Sequence, residues 1–164
     1  MVTLVQATAT ITIPTASNFA DNDAVKIGNV QYRFKNTMAS ANDVKIGASG
    51  TASCANLVMA VNGTGVEGTN YYAGTAQAAG IIASQATVSS NQVVTLTSRL
   101  GGAQGNCFWM AEVVDGGSAY TVAAFSGGSG DVSGSAGFIS VLMAQYQINA
   151  SVLAELRKLT EAAD

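Results

Sequence analysis

The sequence predicts an α+β fold: a mainly antiparallel β-sheet domain with one packed helix, followed by a Gly/Ser linker and a C-terminal docking helix. Three observations carry this. Stretches such as "ATATITI" and "VQYRFK" alternate apolar with polar or small residues, the period of a half-buried strand. One stretch, "SGTASCANLVMAVNG", changes to helical spacing. A run of glycine and serine, "SGGSGDVSGSAG", then separates the body from a closing run of helix formers. The implied units are 1–125 for the folded body, 126–137 for the linker and 138–164 for the assembly helix.

Taken in order, "ATATITI" reads as a strand stopped at Pro14, because proline cannot donate to a ladder. "DAVKIGNVQYRFKN" reads as a hairpin with one apolar face. Val25 and Ile27 alternate with Lys26, Gly28-Asn29 supplies turn chemistry, and Val30, Tyr32 and Phe34 alternate with Gln31, Arg33 and Lys35. "DVKIG" over 43–47 is a further short strand. In the helix, Ala52, Ala55, Val58 or Met59, and Asn62 share one spacing, with Leu57 and Val61 on the adjoining face. Ser49 or Thr51 caps its start, and Gly63 suits its end because glycine takes the left-handed conformation without a Cβ clash. "QATVSSNQVVTLTSR" reads as two strands around a tight turn at Ser90-Asn91, with Val94 and Leu96 alternating with Thr95 and Thr97. "LGGAQGN" is a loop, and "CFWMAEVV" and "AYTVAAF" are two more strands joined by "DGGS".

The last helix is expected over 138–162. Ile148, Val152, Leu156 and Leu159 fall on one stripe, which Leu142, Tyr146 and Leu153 widen. Charge enters only in its last turns, at Glu155, Arg157, Lys158 and Glu161. Such a helix is a poor candidate for standing free in water: it either packs on its own domain or docks with other chains, and the glycine run before it favours docking elsewhere. A membrane span is not expected, since Gln145, Gln147 and Asn149 would be costly in lipid.

Bulk composition narrows the function. The 164 residues are 48% hydrophobic, enough for a core, but only 10% charged, well below the quarter or so usual in globular proteins. A surface made of Ser, Thr, Asn, Gln, Ala and Gly suggests that much of it faces other protein. A net charge of −3 with no basic run argues against nucleic acid. Histidine is absent, which removes the commonest general base and metal ligand. Cys54 and Cys107 have no metal spacing and read as small buried apolar residues, with a single bridge as the alternative. "MVTLVQATAT" lacks the basic and apolar regions of a signal peptide.

The search for chemistry ends without an enzyme. "NGTGVEGTNYY" contains a literal G-x-G-x-x-G, but a helix precedes it and no acidic residue lies between Glu67 and Glu112, so the dinucleotide fingerprint lacks its context. The acid pairs Asp21 with Asp23, and Glu112 with Asp115, flank turns and read as solubilising. "DNDAVKIG" starts like a calcium loop but does not complete the spacing. No cofactor, metal or small-molecule substrate is expected. Tyr71, Tyr72, Phe108, Trp109 and Tyr120 invite two readings. They form a stacking face for carbohydrate, or Phe108 and Trp109 point to opposite sides of one strand, one into the core and one toward a neighbour.

Taken together, "DNDAVKIGNVQYRFKN", "NDVKIGASGTASCANLVMAVNGTG" and "VVTLTSRLGGAQGNCF" resemble a small domain of tailed-bacteriophage virion structural proteins. In that family a "G-D-x-V-x-I-G-G-x-x-Y-x-F" hairpin is followed by "V-x-I-G", a helix of the type "T-A-x-N-L-x-x-A-I-N", then "V-T-L-T-A" and "G-x-x-G-N". The resemblance covers about residues 7–113. Asn22-Asp23 stands where Gly-Asp is commoner, and Cys54 and Cys107 stand where small residues are usual. The closing "ASVLAELRKLTEAAD" is similar to short tails of small phage structural proteins.

The resemblance implies a virion structural module without catalytic residues, assembled in the bacterial cytoplasm. The expected role is a tail or fibre-attachment adaptor that docks through its C-terminal helix. Its expected partners are other copies of itself, as a trimer or ring, and other virion proteins. Capsid decoration is the alternative, and a carbohydrate-binding receptor module using Tyr71, Tyr72 and Trp109 is the third reading.

Overall fold

The computed structural model describes residues 3–114, 117 and 119–130. Within them the chain is α+β, with one α-helix and two four-stranded sheets that are mostly antiparallel. The first sheet has the order β5-β6-β1-β8, built from β5 (Ile81–Val88), β6 (Asn91–Gly101), β1 (Gln6–Pro14) and β8 (Thr121–Ser126). The second has the order β4-β3-β2-β7, built from β4 (Asp43–Lys45), β3 (Val30–Lys35), β2 (Ala24–Ile27) and β7 (Met110–Val114). The alternation predicts one largely antiparallel sheet, and the structure has two. Alternation assigns strands and faces, but it does not say which strands pair.

Both sheets close on one core. Ala7, Ala9, Ile11 and Ile13 line the inner side of β1, and Val94 and Leu96 that of β6. They meet Val25, Ile27, Tyr32 and Phe34 of the β2–β3 hairpin. Gly28 takes φ +61 in that hairpin's turn, where Ile27 faces Val30. Glycine removes the Cβ penalty at such a position. Phe19 stacks on Phe34 at a centroid distance of 3.7 Å and tilts against Tyr120, tying the loop before β2 to the core.

Helix α1 (Gly50–Asn62) starts at Ser49, whose Oγ accepts from the Ala52 N–H, and ends at Gly63 with φ +65. Both caps follow the expected chemistry. The buried face differs from the expected one: Ser53, Cys54, Leu57, Ala60 and Val61 are inside, while Ala52, Ala55, Val58, Met59 and Asn62 are half-buried. The segment is apolar nearly all round, so spacing alone did not choose the face. Packing on the bulkier Leu57 and Val61 did.

Three local expectations are corrected. The β5–β6 turn is Ser89-Ser90 rather than Ser90-Asn91, since Val88 pairs with Asn91. Ser89 takes φ +55 there. The "LGGAQGN" loop contains a 3-10 helix, Ala103–Cys107, and β6 runs on to Gly101. Phe108 and Trp109 precede β7 instead of lying within it.

Strand β4 runs parallel to β3, with Arg33 facing Asp43 and Lys35 facing Lys45. Parallel neighbours usually need a long crossover. Here β4 covers only the end of β3, so the chain backs up by a few residues, about 10 Å of strand. Asn42 makes the return possible with φ +68. The Gly/Ser segment also begins inside the body. Ser126 ends β8, the Val5 N–H donates to the Ser129 carbonyl at 2.9 Å, and the Ala103 N–H donates to that of Gly130 at 3.0 Å. Asn106 holds Gly128 by two side-chain bonds of 2.9 and 3.0 Å.

Candidate functional site

The predicted interface residues Leu142, Tyr146, Ile148, Val152, Leu153, Leu156 and Leu159 lie outside the described residues. The candidate contact residues Tyr71, Tyr72 and Trp109 lie within them, and the structure does not bring them together. Tyr71 is a core residue, 5% exposed, so its place as a surface contact is corrected. It bridges Val44, and the Tyr72 N–H donates to the Asp43 carbonyl at 2.9 Å, which lays this segment along the outer edge of β4. Burial of the ring follows from that docking. Tyr72 is 36% exposed and Trp109 64%. Trp109 enters β7 at the opposite edge, next to the Gly28 turn, where its carbonyl accepts from the Gly28 N–H at 2.7 Å. With strands spaced about 4.8 Å apart, Tyr72 and Trp109 are separated by four spacings, roughly 19 Å. Phe108 leans on Phe125, and Tyr120 is buried with its hydroxyl donating to the Ala24 carbonyl at 3.2 Å. No continuous aromatic face results.

The titratable groups do structural work. Asp21 is exposed; its carboxylate accepts from Lys35 Nζ and from the Asn36 N–H, both at 2.7 Å, and these bonds lower its pKa. Asp23 is fully buried and accepts from the Ala20 N–H at 2.7 Å. It therefore holds a turn from inside and does not solubilise it as expected. Glu112 of the second acid pair lies on β7, and Asp115 lies outside the described residues.

Asp43 is buried at the start of β4. Its Oδ2 accepts from the Ala39 and Ser40 N–H groups at 2.9 and 3.0 Å. Its Oδ1 has no well-aligned hydrogen bond but lies 2.7 Å from Arg33 Nη2. Burial pushes the Asp43 pKa up, yet the two N–H groups and the guanidinium outweigh it, so the carboxyl stays below its ordinary range. Cys54 is buried and Cys107 exposed, and both are free thiols, which corrects the reading of Cys107 as a buried residue. Burial alone pushes the Cys54 pKa up to about 12. Among the described residues no group of three or more His, Cys, Asp or Glu is placed to hold a metal. None of their helices is long and apolar enough to cross a membrane.

The described residues form surface clefts, of which two are well defined. One, of about 350 Å3, lies between the end of α1 and the start of β5, beside Asn62, Gln77 and Arg99. The other, of about 290 Å3, is lined by Thr37, Met38, Lys45, Gly68, Thr69 and Tyr72. Neither gathers a nucleophile with a base.

The feature that sequence reasoning missed is the outer face of the first sheet. Register places its outward residues in rows running from β5 through β6 and β1 to β8. One row is Ile82, Thr97, Thr8 and Ser126; the next is Ser84, Thr95, Thr10 and Ala123; the third is Ala86, Val93, Thr12 and Thr121. Val88, Asn91 and Pro14 continue it. No residue in these rows is charged, and Arg99 lies beyond their end. The burial alternation of β1 and β6 confirms that these residues point away from the core. The signal was present in "ATATITI" and "VVTLT", whose outward positions are threonine or valine and never Lys or Glu.

No family model, curated protein or solved structure matches this chain.

Proposed function

We propose that this chain is a structural protein of a tailed-bacteriophage virion, a non-catalytic assembly component most at home as a tail or fibre-attachment adaptor. The observation that carries the reading is the uncharged outer face of β5-β6-β1-β8, on a chain with only 10% charged residues. Solvated monomers cover such a face with Lys and Glu, whereas a subunit packed among others has no need of them. The motifs behind the family resemblance support it too. They occupy the β2–β3 hairpin, the β4–α1 unit and β6.

In this reading the C-terminal segment docks on neighbouring chains through Ile148, Val152, Leu156 and Leu159. Burying such side chains at about 25 cal/mol per Å2 gives several kcal/mol per segment before ordering costs. The assembly is a homo-oligomer, a trimer or ring, together with other virion proteins. Carbohydrate binding through Tyr71, Tyr72 and Trp109 has lost its geometric basis, because one ring is in the core and the other two sit at opposite sheet edges.

The test is to probe purified particles of the encoding phage with an antibody against this chain and to count copies by gel densitometry. Copies on the order of dozens per particle fit the adaptor, by the symmetry of rings and trimers. Copies on the order of hundreds would move the chain to capsid decoration. Complete absence from purified particles would remove the virion reading.

A further inference from the structure

We infer that the outer face of the β5-β6-β1-β8 sheet is the contact surface for a second copy of this chain. The inference deepens the proposed function, since it rests on assembly from several copies and names the surface that assembles them. Three physical features select a second copy over other occupants.

The first is charge. The chain carries a net charge of −3, yet the rows through Thr97, Thr95 and Val93 hold no charged side chain. Two copies meeting here bury no like charges, and an acidic or basic partner finds nothing to pair with.

The second is hydrogen-bonding capacity. Thr8, Thr10, Thr12, Thr95, Thr97 and Thr121 all point outward. A hydroxyl is both donor and acceptor, so an array of hydroxyls is complementary to an identical array. Buried threonine hydroxyls need such partners, because an unmade bond costs about 1–3 kcal/mol.

The third is shape and area. Small and β-branched side chains line the rows, and a mate that suits a sheet face is another sheet about 10 Å away. Four strands about 4.8 Å apart and rows about 6.8 Å apart give a face on the order of 500 Å2. Two such faces bury about 1,000 Å2 together, the lower bound for a specific interface. Two of the sheet edges are partly covered. Asn62 pairs with the backbone of Ala83 at the β5 edge, and 70–72 lies along β4.

The experiment uses the full chain in sedimentation velocity from about 1 to 100 μM, the range that reports micromolar association. Thr95 stands at the centre of the face and tolerates an outward charge without touching the core. The wild type is expected to associate. Thr95→Glu and Thr95→Lys alone should each weaken association by about tenfold or more, with unchanged circular dichroism melting. Mixing the two variants should restore it, because opposite charges then face each other. A wild type that stays monomeric at the highest concentration overturns the inference, as do Thr95 variants that associate like the wild type. Leu156→Glu separates this from the C-terminal reading. If Leu156→Glu abolishes association and the Thr95 variants do not, the sheet face is wrong while docking through the C-terminal segment stands.

Discussion

The side-chain amide of Asn62 pairs with both backbone polar groups of Ala83. Its Nδ2 donates to the Ala83 carbonyl at 2.8 Å, and its Oδ1 accepts from the Ala83 N–H at 2.9 Å. The last residue of α1 thus acts as a one-residue strand against the edge of β5. It satisfies one residue of an edge that would otherwise template further pairing, and it ties the helix to the first sheet.

Asn62→Ala removes both bonds and leaves a part-buried N–H and carbonyl on β5. We expect a loss of about 1–3 kcal/mol. Urea unfolding would show it as a lower midpoint with an unchanged slope. An unchanged midpoint would mean that water replaces the amide at no cost.

Asp43 gives the fold a pH dependence of known sign. Its folded-state pKa is lowered, against about 3.9 in the unfolded chain. The stability it contributes is therefore present above about pH 4 and lost as pH falls through the folded value. Asp43→Asn should be less stable than wild type at pH 7, with the gap narrowing at about pH 3. Denaturation midpoints at the two pH values check this. A gap equal at both would show that the ionised form is not favoured by the Ala39 and Ser40 N–H groups.

The two thiols should differ in reactivity. Cys107 is exposed, whereas burial holds Cys54 protonated with a pKa of about 12. In native protein at pH 8 a disulfide reagent should label Cys107 within minutes and Cys54 only on unfolding. Equal labelling rates would contradict the placement of Cys54 against the core. By the same linkage, Cys54 ionises first in the unfolded chain. Its contribution to stability should decline as pH rises from about 8.5 toward 12.

Gly50 reverses the usual rule for helices. Exchanging glycine for alanine normally stabilises a helix, by about 1 kcal/mol in its interior and less at a first position such as Gly50. At Gly50, however, an added Cβ lands on the carbonyl oxygen of Ser17, with Ile13 Cγ2 at 3.6 Å. Gly50→Ala should lower the melting temperature by about 4 °C or more. A higher melting temperature would show that the Ser17 turn yields freely.

Much of this was legible in the chain. Period-2 alternation in "VQYRFK" and "VVTLTSR" assigned strands and inner faces, and a cap at Ser49 or Thr51 with Gly63 at the end bounded the helix within two residues. Those signals are local, because pleat and cap chemistry depend on residues a few positions apart. The errors were non-local. Tyr71 looked like a surface aromatic until its segment docked along β4. Asp23 looked solvated until the core closed over it. The α1 face was ambiguous because nearly every side of "ANLVMAVN" is apolar.

The sequence by itself determined an α+β body of short strands around one capped helix, with little charge to spend on solvent. It could do so because local periodicity and composition are properties of the chain. Only the tertiary structure decided that the threonines of β1, β6 and β8 share one face, since β1 pairs with β6 across some eighty residues and with β8 across more than a hundred. Register across that separation is set by packing of the shared core, and it turns scattered polar positions into a single uncharged surface.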